Sequence, residues 1–407
     1  MSNEIASNTQ RRLDAAVRIV VKLGTSTVTG AAGEICVARV EPVVRSLAAL
    51  QRAGRQVVLV SSGAVGLGAG RLGLPRARLS DLVVRQACAA VGQNLLLNAY
   101  EQMFAAHDVK IAQVLLTEED FGDRRRYQNL RSTMEKLLKF GVVPIVNEND
   151  TVSTAELEYQ SESAGRIFGD NDRLAALVMS KLEADALVLL TDVDGLLSRK
   201  NESGVKGKAS EAAEAAVIPF VEEITAELRA LASGPSAGGR GGMLSKLEAA
   251  QIAMSAGGIA VIASGKQPDT LQRIFNGEQV GTVFLSSSRM HGKRRWIAYA
   301  ASVRGRVTVN AGARAAMLHG KASLLFSGVL GLEGDFDALD VIGIADADGR
   351  EFARGMVNCS SKEASGLIDG SREESAADGK NQQKTVVFVT RDNIAILENS
   401  AEHGVVS

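Results

Sequence analysis

A chain of 407 residues is too long for one simple hydrophobic core, which predicts two or three domains. Lys and Arg number 46 against 47 Asp and Glu, and this balance excludes a general electrostatic attraction to nucleic acids or acidic membranes. Cys36, Cys88 and Cys359 are widely spaced and form no CxxC pair, which argues against a disulfide framework and against a zinc site.

A cytoplasmic location is predicted by the same composition. The first residues, MSNEIASNTQRRLD, are polar and lack the apolar core of a signal peptide. No apolar run approaches the roughly 20 residues that are needed to span a bilayer, so no membrane contact is expected. The cysteine usage also fits a reducing compartment.

Strands and helices alternate along the first 285 residues. Short runs rich in β-branched residues predict buried strands at residues 19–21, 57–60, 111–116, 142–146, 186–190, 259–262 and 283–285. Apolar residues at helical spacing predict helices at residues 40–50, 86–104, 124–140, 174–182, 244–256 and 269–275. This alternation predicts an α/β architecture, in which helices cover both faces of a mostly parallel sheet.

The pattern changes near residues 286–295. Beyond them, glycines separate short strand-like segments at residues 297–299, 305–309, 323–325, 341–345 and 385–390. Long helices are scarce in this part, so we expect a small β-rich or barrel-like domain of about 100 residues. Residues 360–384 are rich in Ser, Glu, Gly and Lys, which predicts a loop over part of that segment.

Polar residues follow six of the predicted strands. They lie at residues 22–24, 61–63, 117–120, 147–150, 191–192 and 264–266. The carboxyl ends of parallel strands meet at one edge of a sheet, where such folds bind their ligands, so the clustering favours a site. Unrelated turns are the alternative, because Asn and Asp bond their own backbone and because Asp172 can cap the helix that follows it.

A glycine-rich stretch, GGRGGMLSK, precedes a predicted helix at residues 238–246. Its backbone N–H groups and the positive end of that helix suit a phosphate group, with Lys246 in the first turns. A flexible linker is the alternative. The chain has no GxxxxGK[ST] motif, and the GxGxxG match at residues 68–73 lies too far past its strand to bind a dinucleotide. The 4 histidines are scattered and predict no metal site.

Several of these stretches occur together in one order. They are Lys22-Leu23-Gly24-Thr25-Ser26, Ser61-Ser62-Gly63-Ala64, Asn147–Asp150, Gly169–Asp172, Thr191-Asp192, and Gly241-Gly242-Met243 with Lys246. Together they resemble the amino acid kinase family, and in particular its members that phosphorylate glutamate. The part from Arg294-Arg295-Trp296 to Gly355 resembles a PUA domain. The resemblance implies a three-layer αβα sandwich around a mainly parallel sheet at residues 15–286, and a small β-barrel-like PUA domain at residues 294–400.

The resemblance implies a reaction, which the residues suit. ATP would donate its γ-phosphoryl group to the side-chain carboxylate of L-glutamate, giving L-glutamyl 5-phosphate in the first step of proline biosynthesis. A glutamate carboxylate, with a pKa of about 4.3, is already ionised at neutral pH and needs no general base. The difficulty is to bring an anion to a triphosphate, and lysines together with Mg²⁺ meet it electrostatically. The Mg²⁺ is expected to be held mainly by the nucleotide, with no metal ligands from the protein.

The family's functional positions can be carried over where the motifs match. The resemblance implies catalytic roles for Lys22 and Lys246, with Asp192 holding the lysines in position. It implies glutamate binding by Ser62, Asp150 and Asn171, and an acid such as Asp150 suits the substrate's α-ammonium group. It implies ATP binding by Lys22, Thr191, Asp192, Arg240, Gly241, Gly242, Met243, Leu244, Ser245 and Lys246.

Three departures from the family pattern are visible. Arg240 stands where a small Thr is usual, and Leu244 replaces a hydroxyl residue, so the phosphate loop differs in detail. The connection at residues 156–168 is longer than usual, which affects the lid over glutamate. In the PUA part, Leu339 lies where a turn glycine is common.

Two alternatives stay open at this point. Another member of the fold would act on aspartate, N-acetylglutamate or UMP, although the joint NEND, GDND and PUA-like features disfavour it. An RNA-binding protein would use the PUA-like part, where Lys293, Arg294 and Arg295 precede Trp296, but the overall charge gives no basic footprint. The resemblance also implies a homo-oligomer, a dimer or tetramer, and proline as a feedback inhibitor.

Overall fold

The computed structural model describes residues 2–117, 119–152, 171–198, 216–232, 242–285, 290–320, 322–368 and 386–397. The chain divides into two compact units, Met1–Arg289 and Met290–Ser407. None of the helices in the described ranges combines the length and the apolar character that crossing a bilayer requires.

The first unit is built on one sheet of eight strands. The strands are β1 (Arg18–Leu23), β2 (Gln56–Ser61), β3 (Lys110–Leu116), β4 (Val142–Glu148), β5 (Ala186–Thr191), β6 (Phe220–Val221), β7 (Ile259–Ser264) and β8 (Thr282–Leu285). Their order across the sheet is β3-β4-β2-β1-β5-β7-β8-β6. All neighbours pair in parallel except β7 and β8, which are antiparallel. The predicted α/β class is thereby confirmed.

Helices connect and cover these strands. They are α1 (Ser2–Asp14), α2 (Thr25–Val28), α3 (Val37–Arg52), α4 (Ala64–Arg71), α5 (Leu82–Ala105), α6 (Glu119–Gly122), α7 (Arg124–Lys139), α8 (Asn171–Leu182), α9 (Ala226–Ala232), α10 (Met243–Ser255) and α11 (Thr270–Phe275). Several ends follow sequence signals: Asp81 caps α5 by accepting from the N–H groups of Val83 and Val84, and Gly54 has φ +83° just past α3.

The central strand β1 separates two layers of packing. Ile19, Val21 and Leu23 join a buried cluster that includes side chains of α3 and α5. Successive residues of a strand point to opposite faces, so Lys22 projects to the other face, where α8 contacts β1 and α10. The start of β1 is fixed by Asp185, whose Oδ2 accepts from the N–H groups of Val17 and Arg18, each at 2.8 Å.

Helices α4 and α5 meet almost backbone to backbone. At Gly68 a side chain would overlap the carbonyl oxygen of Cys88, and at Gly92 it would overlap that of Ala64. Gly68, the first glycine of the GxGxxG match, therefore serves helix packing, which agrees with the interpretation that this stretch forms no dinucleotide motif.

The structure differs from the sequence predictions at several elements of this unit. The polar first residues form α1, which packs through Ile5 and Leu13, and the two-residue strand β6 was not predicted. Helix α8 begins at Asn171 rather than at residue 174, so Asn171 and Asp172 lie in its first turn. This earlier start matters for the site, because it decides where the two side chains project.

The second unit is rich in β-structure, as predicted. Its strands are β9 (Val303–Val309), β10 (Leu324–Leu325), β11 (Val329–Gly334), β12 (Val341–Ala345), β13 (Glu351–Met356), β14 (Val387–Val389) and β15 (Ile394–Ile396). They form a five-stranded sheet, β11-β9-β12-β13-β15, and a two-stranded sheet, β10-β14. Helices α12 (Gly292–Arg295) and α13 (Ala311–Gly320) belong to the same unit.

The structure differs from the composition-based predictions at one segment of this unit and adds a helix at another. The predicted strand at residues 297–299 lies in a π-helical turn, Trp296–Ala300, because its short apolar run is buried without alternation. The segment predicted as a loop from residue 360 begins as a helix over residues 361–368. Ser360 and Glu363 form a reciprocal capping box there, a sequence signal that we had not used. The rest of that segment, at residues 369–384, lies outside the described residues.

We expect Leu339→Gly to stabilise the second unit. Leu339 has φ +77° and is 63% exposed, while its N–H donates to the carbonyl of Val357 at 2.9 Å. Relief of the left-handed conformation outweighs the greater entropy of glycine in the unfolded chain, by about 0.5–1 kcal/mol. Urea unfolding of the full chain measures this change.

A matched control is Leu330→Gly, which removes another exposed leucine from β11, a strand without positive φ at that residue. This variant should be destabilised. Equal destabilisation of both variants would show that the φ of Leu339 carries no strain.

Candidate active site

The centre of the site is one buried carboxylate that is shared by two buried lysines. The Oδ1 of Asp172 lies 2.7 Å from the Nζ of Lys22, and its Oδ2 lies 3.0 Å from the Nζ of Lys246. Asp172 is 0% exposed, Lys22 6% and Lys246 5%. The hydroxyl of Ser245 adds a longer contact of 3.4 Å to Oδ2. The structure therefore brings together both lysines that the sequence singled out.

Three elements of the fold position these groups. Lys22 is next to last in β1, Asp172 is the second residue of α8, and Lys246 lies in the first turn of α10. Gly24 borders the lysine, since a Cβ there would lie in van der Waals contact with the Nζ of Lys22, at 3.6 Å. The site therefore sits where the carboxyl end of the central strand faces the amino ends of two helices, whose dipoles favour negative charge.

The electrostatic balance of this cluster is positive. Burial disfavours the charged form of Asp172, but the ammonium groups of Lys22 and Lys246 outweigh burial and hold the pKa of Asp172 below its ordinary value. The carboxylate is therefore ionised at neutral pH and offsets one of the two cations. The remaining positive charge, in a site with little water, suits an anion such as a phosphoryl group.

A second polar network begins at the neighbouring residue. The Nδ2 of Asn171 donates to the Oγ of Ser62 at 2.7 Å and to the Oδ1 of Asn147 at 3.0 Å. The Nδ2 of Asn147 in turn donates to the Oε1 of Gln93 at 2.8 Å. The backbone N–H of Ser62 donates to the carbonyl of Leu23 in β1 at 3.1 Å. Two of the predicted glutamate-binding residues, Ser62 and Asn171, are thus in direct contact beside the lysine pair.

The other predicted residues lie at the same edge of the sheet, to the extent that they are described. Asp150 is partly buried and follows the end of β4 by two residues. Thr191 ends β5 and is buried, and its hydroxyl donates to the Oδ1 of Asp192 at 3.1 Å. Asp192 itself is exposed.

The glycine-rich stretch is described only from Gly242 onward. Arg240 and Gly241 lie outside the described residues, as do Gly169 and Asp170 and the long connection at residues 156–168. Gly242 precedes α10 in extended conformation, Met243 and Leu244 open the helix, and the hydroxyl of Ser245 donates to the carbonyl of Gly242 at 2.9 Å.

Two expectations are revised by these contacts. The resemblance implies that Asp192 holds the lysines, and helix capping was the alternative role for Asp172, yet Asp172 contacts both lysines while the Asp192 contact described is with the Thr191 hydroxyl. Of the polar residues at 117–120, residue 118 lies outside the described residues; Asp120 forms a local turn with Thr117 by accepting from its N–H and hydroxyl, and it pairs with Arg126. That turn explains its own polar residues without a ligand.

Two protein-family models match parts of this chain. A model of the amino acid kinase family matches residues 17–263, which is more than half of the chain, and a model of the PUA domain matches residues 305–375. The chain therefore belongs to the amino acid kinase family.

Relatives that match nearly the whole chain give a narrower placement. A glutamate 5-kinase from Moorella thermoacetica is 43% identical over 387 residues, which cover 95% of this chain and 97% of the relative. A glutamate 5-kinase from Myxococcus xanthus is 44% identical over 387 residues, with the same coverage. One from Thermoanaerobacter sp. is 42% identical over 391 residues, covering 95% of this chain and 100% of the relative. Within its family, the chain groups with the glutamate 5-kinases.

We expect Asp172→Asn to destabilise the first unit by about 3 kcal/mol, because it leaves two buried ammonium groups without their shared anion. Added inorganic phosphate should raise the melting temperature of this variant more than that of the unsubstituted chain, since the anion then takes the place of the carboxylate between the two lysines. Urea unfolding and thermal melts with and without phosphate measure the two effects.

The matched control is Asp192→Asn, which removes an exposed carboxylate from the adjoining strand end. It should change the free energy of unfolding by no more than about 0.5 kcal/mol. If Asp192→Asn were the more destabilised variant, the assignment of Asp172 as the anchor of the lysines would be wrong.

Proposed function

We propose that the chain transfers the γ-phosphoryl group of ATP to the side-chain carboxylate of L-glutamate, giving L-glutamyl 5-phosphate in the first step of proline biosynthesis. The observation that carries the proposal is the buried Lys22–Asp172–Lys246 cluster at the carboxyl end of the central strand. The names and coverage of the relatives support it from an independent side.

The reaction requires stabilisation of negative charge in the transition state and requires no general base. The acceptor carboxylate is ionised at neutral pH, so it attacks the γ-phosphorus without losing a proton. Negative charge then spreads over the oxygens of the transferring group in a loose, in-line transition state. Lys22 and Lys246 stabilise that charge from two sides, and Asp172 is a positioning residue that holds their ammonium groups apart and in place.

Glutamate is bound beside this cluster. The contacts of Ser62 with Asn171 support a subsite there, and Asp150 offers a carboxylate at the same sheet edge. We assign Asp150 to the α-ammonium group of the substrate, because an ion pair of that kind is a charge-assisted contact. Ser62 and Asn171 supply neutral hydrogen-bonding groups to the same amino acid.

The nucleotide is bound by the neighbouring strand end and loop. We assign to it Lys22, Thr191, Asp192 and residues 240–246, which include the amino end of α10. Mg²⁺ arrives with ATP and is held mainly by its phosphates. In the part of the chain that the structure describes, no three His, Cys, Asp or Glu side chains come together to hold a metal ion, and the central donor set is cationic.

Four further assignments complete the proposal. The kinase domain takes residues 15–286 and the PUA domain residues 294–400. The chain acts as a homo-oligomer, a dimer or tetramer, in the cytoplasm. Proline, which ends the pathway, is its feedback inhibitor.

The contacts of the basic cluster disfavour RNA binding as the main function. Lys293 Nζ donates to the Oδ1 of Asn393 at 2.5 Å, and Arg294 donates to the carbonyl of Arg391 at 3.2 Å. Arg295 is 4% exposed, and its guanidinium donates to the carbonyl of Met290 at 3.0 Å. Arg295 is thus withdrawn from the surface, and the exposed Lys293 and the partly exposed Arg294 already have hydrogen-bond partners within the second unit.

A hydroxamate assay tests the proposed reaction, because hydroxylamine traps any acyl phosphate. The full chain is incubated with ATP and Mg²⁺ and with L-glutamate, aspartate, N-acetylglutamate or no acceptor. Signal with L-glutamate alone is the expected result. Hydroxamate formed with another acid would change the substrate assignment. If no acceptor gave hydroxamate, UMP and then structured RNA would be tested as ligands.

Lys22→Met should lower kcat by about 100- to 1,000-fold, because it removes transition-state charge stabilisation while keeping the length of the side chain. The fold should persist, since Lys246 still pairs with Asp172. Initial rates and circular dichroism measure both. Lys139→Met, on the exposed end of α7, is the control and should leave kcat unchanged. Near-normal turnover of Lys22→Met would remove Lys22 from the mechanism.

Asp150→Ala should raise the KM for glutamate by about tenfold or more and leave the KM for ATP nearly unchanged, because it deletes only the proposed partner of the α-ammonium group. Steady-state kinetics with each substrate varied in turn measures the split. A normal KM for glutamate would contradict the assignment.

A further inference from the structure

Gln93 is a partly buried side chain that the proposed reaction does not use. It lies in α5, and its Oε1 accepts from the Nδ2 of Asn147 at 2.8 Å. Its Nε2 is buried and has no hydrogen-bond partner among the residues that the structure describes. A buried N–H without a partner costs about 1–3 kcal/mol, so a merely structural role would be filled better by an apolar side chain.

The hydrogen bonds of this amide chain run in one direction. Asn147 donates to Gln93, and Asn171 donates to Asn147 and to Ser62. Because both bonds from Asn171 use its Nδ2, its Oδ1 is the group left for a ligand. That oxygen can only accept a hydrogen bond, which suits an ammonium group.

The direction of these hydrogen bonds depends on the acceptor, Oε1, that Gln93 presents to Asn147. If Asn147 had no acceptor at Gln93, its own amide could turn and offer Nδ2 to Asn171. Asn171 would then have to turn its Oδ1 inward to accept, and an N–H would face the ligand in place of the carbonyl oxygen. An N–H at that position would oppose an ammonium group instead of binding it.

The scaffold around Gln93 keeps the chain of amides at fixed spacing. Ser61, next to Ser62, shares a buried hydrogen bond of 2.7 Å with the hydroxyl of Tyr100, two turns further along α5. Gly92 brings α5 against the backbone of α4 at Ala64. The two ends of the chain, Ser62 and Gln93, are thus tied to each other independently of Asn147 and Asn171.

We infer that Gln93 is a positioning residue for glutamate: by accepting from Asn147, it fixes the amide of Asn171 with its carbonyl oxygen toward the α-ammonium group of the substrate. This inference rests on the proposed glutamate kinase function. It predicts that Gln93 governs the affinity for glutamate without touching the transferring phosphoryl group or the nucleotide.

The test compares Gln93→Met with the unsubstituted chain in the hydroxamate assay. The substitution keeps the approximate volume and removes both the acceptor and the unpaired donor. We expect the KM for glutamate to rise about tenfold, the equivalent of one hydrogen bond, with kcat and the KM for ATP within about twofold. The substitution removes one buried N–H that has no partner and withdraws the acceptor from another, so the melting temperature should stay nearly equal.

Gln102→Met is the matched control, since it makes the same change on the exposed side of the same helix. It should alter none of these quantities. If the unsubstituted chain makes no glutamyl phosphate, the proposed function fails. If it does and Gln93→Met has a normal KM for glutamate, or raises both KM values alike, the inference about Gln93 is overturned.

A double-mutant cycle with Asn147→Ala tests whether Gln93 acts through Asn147. The effects on the KM for glutamate should be strongly non-additive, so that the double variant resembles Asn147→Ala alone. Additive effects would mean that Gln93 acts by another route, and the inference would be withdrawn.

Discussion

The structure of the site depends on one carboxylate between two ammonium groups. Asp172 lies wholly out of water, and burying a charge there is costly unless partners surround it. Two lysines on different elements supply those partners, so β1, α8 and α10 must come together for any of the three charges to be tolerated. Formation of the site and formation of the core are therefore the same event.

The Lys22–Asp172–Lys246 cluster has two cations and one anion, and this ratio determines the charge of the ligand that it attracts. A buried pair with equal charges would be satisfied by itself, whereas two lysines on one carboxylate remain attractive to a further anion. The neighbouring residue, Asn171, belongs to a network of neutral amides and a hydroxyl. In the proposed reaction, two adjacent residues of α8 thus serve different parts of the ligand, one the phosphoryl group and the other the amino acid.

Much of the fold could be predicted because its signals are local. Runs of β-branched residues marked the long strands of the first unit, and glycines such as Gly54 marked helix ends. The strand predicted at residues 297–299 was wrong because a short buried apolar run has the same composition in a strand and in a helical turn. Lys22 and Lys246 were found because the ends of parallel strands and the starts of helices meet at one edge.

The role of Asp172 could not be predicted in this way. Its partner Lys246 is 74 residues away in sequence, and a carboxylate in the first turn of a helix has the local pattern of a cap or dipole partner. Gln93 had no local signal at all, because its partner Asn147 is 54 residues away and glutamine in a helix is ordinary. Both roles arise only from tertiary contact.

The close approach of α4 and α5 has a consequence for how this protein can change. Gly68 and Gly92 admit no side chain, so even alanine at either position would push the two helices apart. Because Ser62 precedes α4 and Gln93 lies in α5, such a shift would widen the amino acid subsite. Substitutions that alter substrate preference are therefore expected among the side chains around the proposed subsite. Gly68 and Gly92 are not expected to vary.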